Sequence, residues 1–250
     1  MNTIENILNH YESISLNDTD KVRLMNRIDT KYIFNASTLP LILESIKDSF
    51  FVLEIKNKRI QEYITSYFDT SDFNMYISHH NGKQNRYKIR HRFYKNDNVG
   101  FLEVKFKSNK GRTIKKRIPQ NSVNEIYSEA GKAFIKERTP FNADELKVSV
   151  SNVFSRITLV NKKLDQRLTI DSKISFSGFD LQHAGSNLAI IEIKRDKFST
   201  ESKITEILKN LRIYPSGLSK YCLGMVYLNP DIKKNSFKPR LLTINKIENA

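Results

Sequence analysis

The chain has 250 residues, a formal net charge of +15 and a pI near 9.7. This length can bury a sizeable core, and a single domain is expected. The excess of Lys and Arg indicates a polyanionic partner, which could be nucleic acid, an anionic membrane surface or a phosphate-rich molecule. Cys222 is the only cysteine, which excludes an intrachain disulfide framework and a thiolate zinc site and favours a reducing compartment.

The N-terminus lacks the apolar core of a signal peptide, because Glu5, Asn6, Asn9 and His10 fall within its first ten residues. No stretch approaches the roughly 18 apolar residues of a membrane span. The expected location is therefore cytoplasmic, with peripheral attachment to a membrane as the alternative.

The first predicted elements are a helix, a strand and a second helix. Ile4, Ile7, Leu8 and Tyr11 share one face of a short amphipathic helix. Residues 27–34 alternate charged and apolar side chains as a strand does, with Arg27, Asp29 and Lys31 on one face. Residues 37–47 are predicted to form a helix capped by Ser37. A strand over 63–69 then leads into a short helix capped by Thr70 or Ser71.

The stretch from Asn85 to Lys107 predicts an antiparallel hairpin whose two strands each carry a charged face. A row of like charges destabilises a strand unless an anion lies opposite, so this face indicates a site for a negative ligand. The charged face is formed by Arg86, Lys88, Arg90 and Arg92 on the first strand and by Glu103, Lys105 and Lys107 on the second.

A third cationic strand follows at residues 112–118, with Thr113, Lys115 and Arg117 on one face. Lys116 is adjacent, so the register that selects Lys115 is open. Residues 121–137 are predicted to be helical and to open with the capping-box spacing of Ser122 and Glu125.

The remaining chain predicts a second hairpin at 154–161 and 164–176, then a strand at 188–195. A helix capped by Ser199 or Thr200 follows, and another begins after Pro215-Ser216-Gly217. The domain core is expected at about residues 22–229. The basic tail, 231–250, is expected to be loose because it is low in apolar residues.

The fold class predicted from these patterns is α+β, with a closed or nearly closed antiparallel β-barrel and helices packed outside. For one strand alone, a solvated charged face is the simpler interpretation. When Arg and Lys dominate one face of many strands, a cationic tunnel accounts for both patterns: the charged faces point inward, and the apolar faces point outward and are covered by helices. Buried cations need compensation, which a polyanion, metal ions and the few acids can supply.

The sparse acids are oxygen ligands suited to Mn²⁺ or Mg²⁺, which bind phosphates with only one or two carboxylates. Glu192 is the best candidate; Glu103, Asp29 and Asp171 are further ones, and each could instead orient a neighbouring cation. No phosphate-binding glycine loop or His-Glu-x-x-His motif occurs. His79-His80 is interpreted as a surface feature.

These residues give the chain a resemblance to the polyphosphate polymerase (VTC) domain family of the triphosphate tunnel metalloenzyme superfamily. The motifs that carry it span residues 27–221 in the family's order, and their ordered set is more specific than any one of them. They are Arg27-Ile-Asp-Thr-Lys31-Tyr, Tyr67-Phe-Asp-Thr70, Lys88-Ile-Arg-His-Arg92, Leu102-Glu-Val-Lys105, Arg156-Ile-Thr, Arg167-Leu-Thr-Ile-Asp171, Ile191-Glu-Ile-Lys194 and Ser219-Lys-Tyr221.

The resemblance implies transfer of the γ-phosphoryl group of ATP to a polyphosphate chain, with Glu192 as metal ligand. The residues expected to carry the reaction are Lys31, Arg90, Arg92, Lys105, Lys115, Arg156, Arg167 and Lys220. Further substrate contacts are expected from Lys88, Lys107, Arg117, Lys194, Ser219 and Tyr221.

Related triphosphatases begin with Glu-x-Glu-x-Lys, whereas this chain has Arg27 and Asp29 at the acidic positions, which favours the polymerase branch. The phosphate-sensing and membrane-spanning domains of eukaryotic members are not found, so coupling to transport is expected to need a separate membrane protein partner.

Two other functions stay open. One is a triphosphatase of the same fold, and the other is a non-catalytic polyphosphate-binding module. Nucleic acid is the least favoured ligand. A nucleic-acid binder interleaves exposed aromatic residues with its basic residues so that bases can stack on the rings, whereas Tyr87 and Phe93 lie on the apolar face, away from the cations.

Overall fold

The computed structural model describes residues 3–20, 27–183, 187–196 and 203–249. Within them the chain forms one large sheet with helices on both faces. The strands are β1 (Ser13–Ile14), β2 (Arg27–Asn35), β3 (Phe50–Leu53), β4 (Gln61–Asp69), β5 (Arg86–Tyr94), β6 (Val99–Lys107), β7 (Thr113–Pro119), β8 (Lys147–Asn161), β9 (Gln166–Gly178), β10 (Leu181–His183) and β11 (Leu188–Asp196).

The helices are mostly short and occur between the strands and after them. They are α1 (Ile4–Asn9), α2 (Leu16–Asp20), α3 (Leu39–Ile46), α4 (Asn74–His80), α5 (Glu129–Arg138), α6 (Lys203–Asn210), α7 (Lys220–Leu228) and α8 (Lys238–Glu248). None of the helices in the described ranges combines the length and the apolar composition needed to cross a bilayer.

The sheet runs in the order β2-β11-β9-β8-β4-β5-β6-β7, and neighbours along this path are antiparallel. The predicted α+β class with a large antiparallel sheet is therefore confirmed. The path is open, because β2 at one end and β7 at the other make no strand pairing with each other in the described chain. The hydrogen bonds of the described strands therefore form an open sheet, not the closed barrel that was predicted.

Two apolar clusters cover the outer face of the sheet. One packs α1, α3 and α6 against β2, β11, β9 and β8, and it buries Leu43, Ile170 and Leu208. The other packs α5 and its preceding turn against β5 and β6, where Ile89, Leu102 and Phe134 are buried. Helices on this face were predicted, and burial of their apolar stripes is the main stabilising term for the sheet.

The opposite, inner face is covered at one end by α7. This helix packs its apolar side on Val150, Phe154 and Phe176 of β8 and β9. The approach is close at Gly224, where a Cβ would lie only 2.7 Å from the side chains of Phe176 and Val150. A glycine is needed at that crossing, and the rest of the inner face is left for polar side chains.

Several predicted boundaries differ from the observed ones. The first strand of the second hairpin begins at Lys147 rather than 154, and three short strands, β1, β3 and β10, were missed. The helix predicted at 121–137 is two elements, a 3₁₀ turn with the expected Ser122–Glu125 capping box and then α5, which Ser128 caps. The predicted caps Ser199 and Thr200 lie outside the described residues.

The start of α3 differs from the prediction too. Ser37 does not cap it: Asn35 accepts from the Ser37 amide, and α3 follows without a side-chain cap.

The prediction of a loose basic tail is wrong, because the tail forms α8 and packs on the body. Phe237 and Ile244 are buried against α4 and α7, and the Asn35 amide donates to the Ile247 carbonyl at 2.8 Å. Few apolar residues suffice here because Leu241, Ile244 and Ile247, three positions apart, all pack in the inner apolar cluster, whereas Leu242 is exposed.

The start of α4 depends on Asp69 rather than on the cap residues predicted. Asp69 Oδ1 accepts from the Thr70 and Met75 amides at 2.8 and 2.9 Å, and its Oδ2 accepts from the Tyr76 amide at 2.9 Å. The Tyr221 hydroxyl of α7 donates to the same Oδ2. Thr70 makes a smaller contribution, since its hydroxyl accepts from the Asn74 amide at 3.1 Å. A single buried carboxylate thus joins β4, α4 and α7.

Asp69→Ala should lower the free energy of unfolding by about 3 kcal/mol or more, because it leaves several buried donors without an acceptor. Chemical denaturation measures the change. Asp72→Ala, which removes an exposed carboxylate three residues away, should stay within about 0.5 kcal/mol of the parent. Equal destabilisation by the two variants would contradict the structural role given to Asp69.

Candidate functional site

The register of β5, β6 and β7 places the predicted cations on one face. Cross-strand partners in antiparallel pairs point to the same side of the sheet. Lys88 pairs with Lys105, and Lys105 pairs in turn with Lys115, so these three side chains form one row. The register therefore selects Lys115 over Lys116, which points to the opposite face.

The other half of the sheet continues the same face. Arg156 on β8 pairs with Asp171 on β9, and Thr169, two residues away on the same side, pairs with Glu192 on β11. Glu192 then pairs with Lys31 on β2. β4 connects this half to the hairpin, because Thr65 pairs with Arg92.

The curvature of the sheet brings its two ends to one cavity of about 570 Å³. β2 and β11 line one side, β5, β6 and β7 line another, and the loop before α7 lines a third. The predicted site residues on its wall are Asp29, Lys31, Lys88, Lys105, Lys107, Glu192 and Ser219. Strands at opposite ends of the hydrogen-bonded path thus contribute to one concave, mainly cationic site.

Glu103 is a buried counter-charge that two predicted cations share. Its side chain is 1 % exposed and accepts from Arg90 Nε at 2.7 Å and Nη2 at 2.6 Å, and it also pairs with Lys115. Burial alone would raise the pKa of this carboxyl, but Arg90, Arg92 and Lys115 lower it to about 2. Glu103 therefore orients cations and is poorly placed to bind a metal.

Asp171 has the same role on the other half of the sheet. Arg156 donates to its two oxygens at 2.5 and 2.7 Å in a bidentate pair, and Lys220 from α7 contacts it too. These cations outweigh burial and hold the pKa of Asp171 well below its usual range. The Lys220 ammonium also lies 4.3 Å from the Phe154 ring centroid.

The loop before α7 closes one side of the cavity and is held by its wall. Lys88 Nζ donates to the Ser219 hydroxyl at 2.9 Å, and Lys31 Nζ donates to the Leu218 carbonyl at 3.1 Å. The Ser216 amide donates to the Lys31 carbonyl at 2.7 Å. Ser219 also caps α7, a role that the sequence analysis did not assign to it, so it joins the helix start to the cationic row.

Five lysines of this site, Lys194 among them, have lowered pKa values, mainly because burial disfavours their charged form. The pKa falls to about 7 for Lys88 and to about 8 for Lys105, Lys115 and Lys220. Neighbouring cations add to the effect at each of them. The site is therefore crowded with positive charge that its acids only partly offset.

A metal site made by protein groups alone is not present in the described ranges, since they contain no group of three or more His, Cys, Asp or Glu side chains arranged to hold an ion. Glu192 and Asp29 both line the cavity and lie on the same face of adjacent strands. Mg²⁺ and Mn²⁺ are commonly bound by one or two carboxylates together with substrate phosphates, so this pair fits an ion that binds with its substrate.

Glu192 is ionised and close to cations. Its carboxylate lies 2.5 Å from Lys194 Nζ and 4.0 Å from Lys31 Nζ. Burial would raise its pKa, but these lysines lower it to about 2, so the carboxylate is available to a cation over the whole neutral range.

Other predicted residues share the face but do not line the cavity. Arg92 is buried and donates to Thr65 at 3.3 Å, Arg117 stacks on Phe101, and Arg167 donates to the Thr19 carbonyl at 2.7 Å. Tyr221 is buried and donates to Asp69, which indicates a structural role for its hydroxyl rather than contact with a ligand.

Sequence reasoning did not select three wall residues with ionisable side chains as site residues, namely Arg86, Arg240 and His79. Arg86 lay on the predicted cationic face, so its strand pattern could have identified it. The interpretation of His79-His80 as a surface feature is wrong: His80 is buried and bonds to Ser236, and the Nδ1 atom of His79 is buried. Nothing in the local pattern places either ring under α8.

Three solved structures show the range of similarity. A candidate adenylate cyclase from Bacillus halodurans is 15 % identical, with a TM-score of 0.49 over 78 % of this chain and 94 % of that one. A candidate adenylyl cyclase from Hippeastrum, described as having a dominant triphosphatase activity, is 16 % identical, with a TM-score of 0.49 over 79 % and 94 %. The Pct1 RNA triphosphatase of S. pombe is 11 % identical, with a TM-score of 0.33 over 99 % and 93 %.

A search of curated proteins found no match. The sequence profile of the VTC domain matches residues 26–229, which include all eight strands of the main path, the cavity-lining loop and α7. The chain therefore belongs to the VTC domain family.

Proposed function

We propose that this VTC domain is a metal-dependent polyphosphate polymerase, which transfers the γ-phosphoryl group of ATP to a growing polyphosphate chain inside a cationic tunnel. The observation that carries the proposal is the shared face of Lys and Arg on strands from both ends of the sheet, which surrounds one cavity. A slim, flexible chain of phosphates suits such a cavity better than a nucleic-acid duplex does.

In this proposal the paired cations hold the transferred group. Arg90, Arg156, Lys115 and Lys220 do not line the cavity itself, but they share its face of the sheet and are oriented by Glu103 or Asp171, and their remaining donors would bind the phosphate oxygens. Preorganised donors of this kind stabilise charge that develops during phosphoryl transfer. Arg92, Lys105 and Lys31 extend the row, and Lys88 and Ser219 bind from the side of the loop.

The divalent cation would be held by Glu192, with Asp29 as the second carboxylate, and would supply charge neutralisation on the nucleotide phosphates. A terminal oxygen of the polyphosphate chain attacks the γ-phosphorus of ATP. The bond from that phosphorus to the bridging oxygen breaks, ADP leaves, and the chain is longer by one phosphate. No covalent protein intermediate is needed, and the cations of the wall stabilise the attacking and leaving oxygens.

With ATP and Mn²⁺ the protein should produce polyphosphate and ADP in matched amounts, measured by gel staining and by chromatography. Glu192→Gln should lower this turnover about 100-fold, because it removes a ligand of the ion that stabilises the transition state. Metal-free binding of tripolyphosphate should not weaken, because the substitution removes a negative charge from the wall. Thermal unfolding of the variant measures separately the stability lost with the ion pairs to Lys194 and Lys31. Glu129→Gln, at an exposed position of α5, is the matched control.

Free phosphate as the main product would favour the triphosphatase alternative. Tight binding of polyphosphate without any turnover of ATP would favour the non-catalytic binding module.

Arg92→Met should weaken tripolyphosphate binding about tenfold or more while stabilising the fold by about 1 kcal/mol. Arg92 is only 8 % exposed, and burial together with Arg90 and Arg156 lowers its pKa, so its charge is unfavourable in the absence of ligand. Calorimetric titration and denaturation measure the two effects. A variant that binds normally, or that loses stability in step with affinity, would contradict a ligand-binding role for Arg92.

Polyphosphate binding at pH 8 should take up protons from solution. The lysine pKa values of about 7 to 8 mean that these groups are partly neutral there, and an anion raises their pKa on binding. Affinity should therefore fall as pH rises from 7 to 9. Titrations in buffers of different ionisation enthalpy measure the uptake, and at pH 6, where the lysines are already protonated, it should be close to zero. Proton release at pH 8 would contradict the assignment.

A further inference from the structure

The rim of the cavity includes a guanidinium from outside the region that matches the VTC domain profile. The match ends at residue 229, and Arg240 lies on α8. Its side chain lines the cavity together with Arg86, Lys107 and His79. The C-terminal segment is therefore part of the wall of the site, in addition to packing against it.

The position of α8 is fixed from both of its ends. Before it, the Ser236 hydroxyl donates to the His80 carbonyl at 3.0 Å, and Phe237 packs in the inner apolar cluster. At its C-terminal end, the Ile247 carbonyl accepts from Asn35 of β2. Arg240 is thus held at the rim by contacts that do not involve its own guanidinium.

The guanidinium of Arg240 faces the loop before α7. A Cβ built on Gly217 would lie 3.5 Å from Arg240 Nη2, so the side chain passes directly over that glycine. Within the described part of the chain, Arg240 makes no ion pair and no hydrogen bond. The acids of the site pair with other cations, and not with Arg86 or Lys107. The rim therefore differs from the inner cations, which share Glu103 and Asp171.

His79 adds no charge to this rim. Burial, with Lys88, Arg86 and Arg240 nearby, lowers its pKa to about 2, so the ring stays neutral. The rim thus presents Arg86, Lys107 and Arg240 around a neutral ring, and an anionic ligand is what would balance them.

The rim and the inner cations are far apart along the sheet. Arg86 and Arg90, the nearest of the inner arginines on β5, are four residues apart, which corresponds to about 13 Å, and Arg92 lies about 20 Å from Arg86. A triphosphate bound among Arg90, Arg92 and Arg156 is too short to reach the rim, whereas a longer phosphate chain leaving through the cavity would pass it.

We propose that Arg240, with Arg86 and Lys107, forms a rim subsite that binds the phosphates of a polyphosphate chain beyond those held by the inner cations. The inference rests on the proposed function for the identity of its ligand. Its consequence is selectivity for length: α8 should strengthen the binding of long chains and leave short ones nearly unaffected.

The test compares Arg240→Gln with Arg138→Gln, which removes an exposed guanidinium on α5 away from the cavity. The ligands are tripolyphosphate and a polyphosphate of several tens of phosphates. Arg240→Gln should lower the affinity for the long polyphosphate about 5- to 20-fold and the affinity for tripolyphosphate less than about 2-fold. It should also reduce the slope of log affinity against log salt for the long chain by about 1, as loss of one phosphate contact does. Arg240→Lys should recover part of the affinity.

Equal effects of Arg240→Gln on both ligands, or no difference from Arg138→Gln, would overturn the rim subsite while leaving the proposed function in place. A parent protein that binds neither ligand would overturn the proposed function itself. Thermal unfolding of each variant separates lost contact from lost fold, since an exposed Arg240 should contribute little to stability.

Discussion

Repulsion between like charges is the constraint on which the inner face depends. Eight strands in antiparallel register place Arg and Lys side chains next to one another, which would destabilise the sheet without compensation. Glu103 and Asp171 provide it, since each is shared by an arginine and a lysine from different elements. Each cluster of one acid and two cations keeps a net positive charge. The acids therefore offset enough repulsion for the sheet to fold and leave positive charge that an anionic ligand can neutralise.

The inner face serves two purposes at its two ends. At one end the apolar side of α7 packs on β8 and β9. At the other end the face carries charged side chains that line the cavity. Ser219 and Lys220, at the start of α7, lie at the boundary: one contacts Lys88 and the other Asp171. The same helix therefore contributes to the core and to the site, which links the stability of the domain to the geometry of its cations.

Strand periodicity predicted much of this arrangement, because a two-residue repeat of charge is visible in the chain and register transmits it across the sheet. Lys31, Lys105 and Glu192 were found in this way. The strand pattern does not show which side chains are in contact across the sheet. From the sequence alone, Glu103 and Asp171 were therefore as acceptable as metal ligands as they were as partners of cations. It was uninformative for α8, whose few apolar residues gave a weak helical signal, and so Arg240 was missed. The role of Asp69 was hidden for a related reason, since its partners come from two further elements, α4 and the distant α7.

The open path between β2 and β7 has a mechanical consequence. In a closed barrel, strand number and stagger fix the radius, and no change of width is possible without breaking hydrogen bonds. Here the two terminal strands face the cavity without being bonded to each other, so the sheet can flatten or curl while every ladder stays intact. The loop before α7 bridges the gap, since its Leu218 carbonyl accepts from Lys31 of β2 and its Ser219 hydroxyl accepts from Lys88 of β5. The distance between the two sides of the cavity therefore depends on this loop, and not on a hydrogen-bonded ladder between β2 and β7.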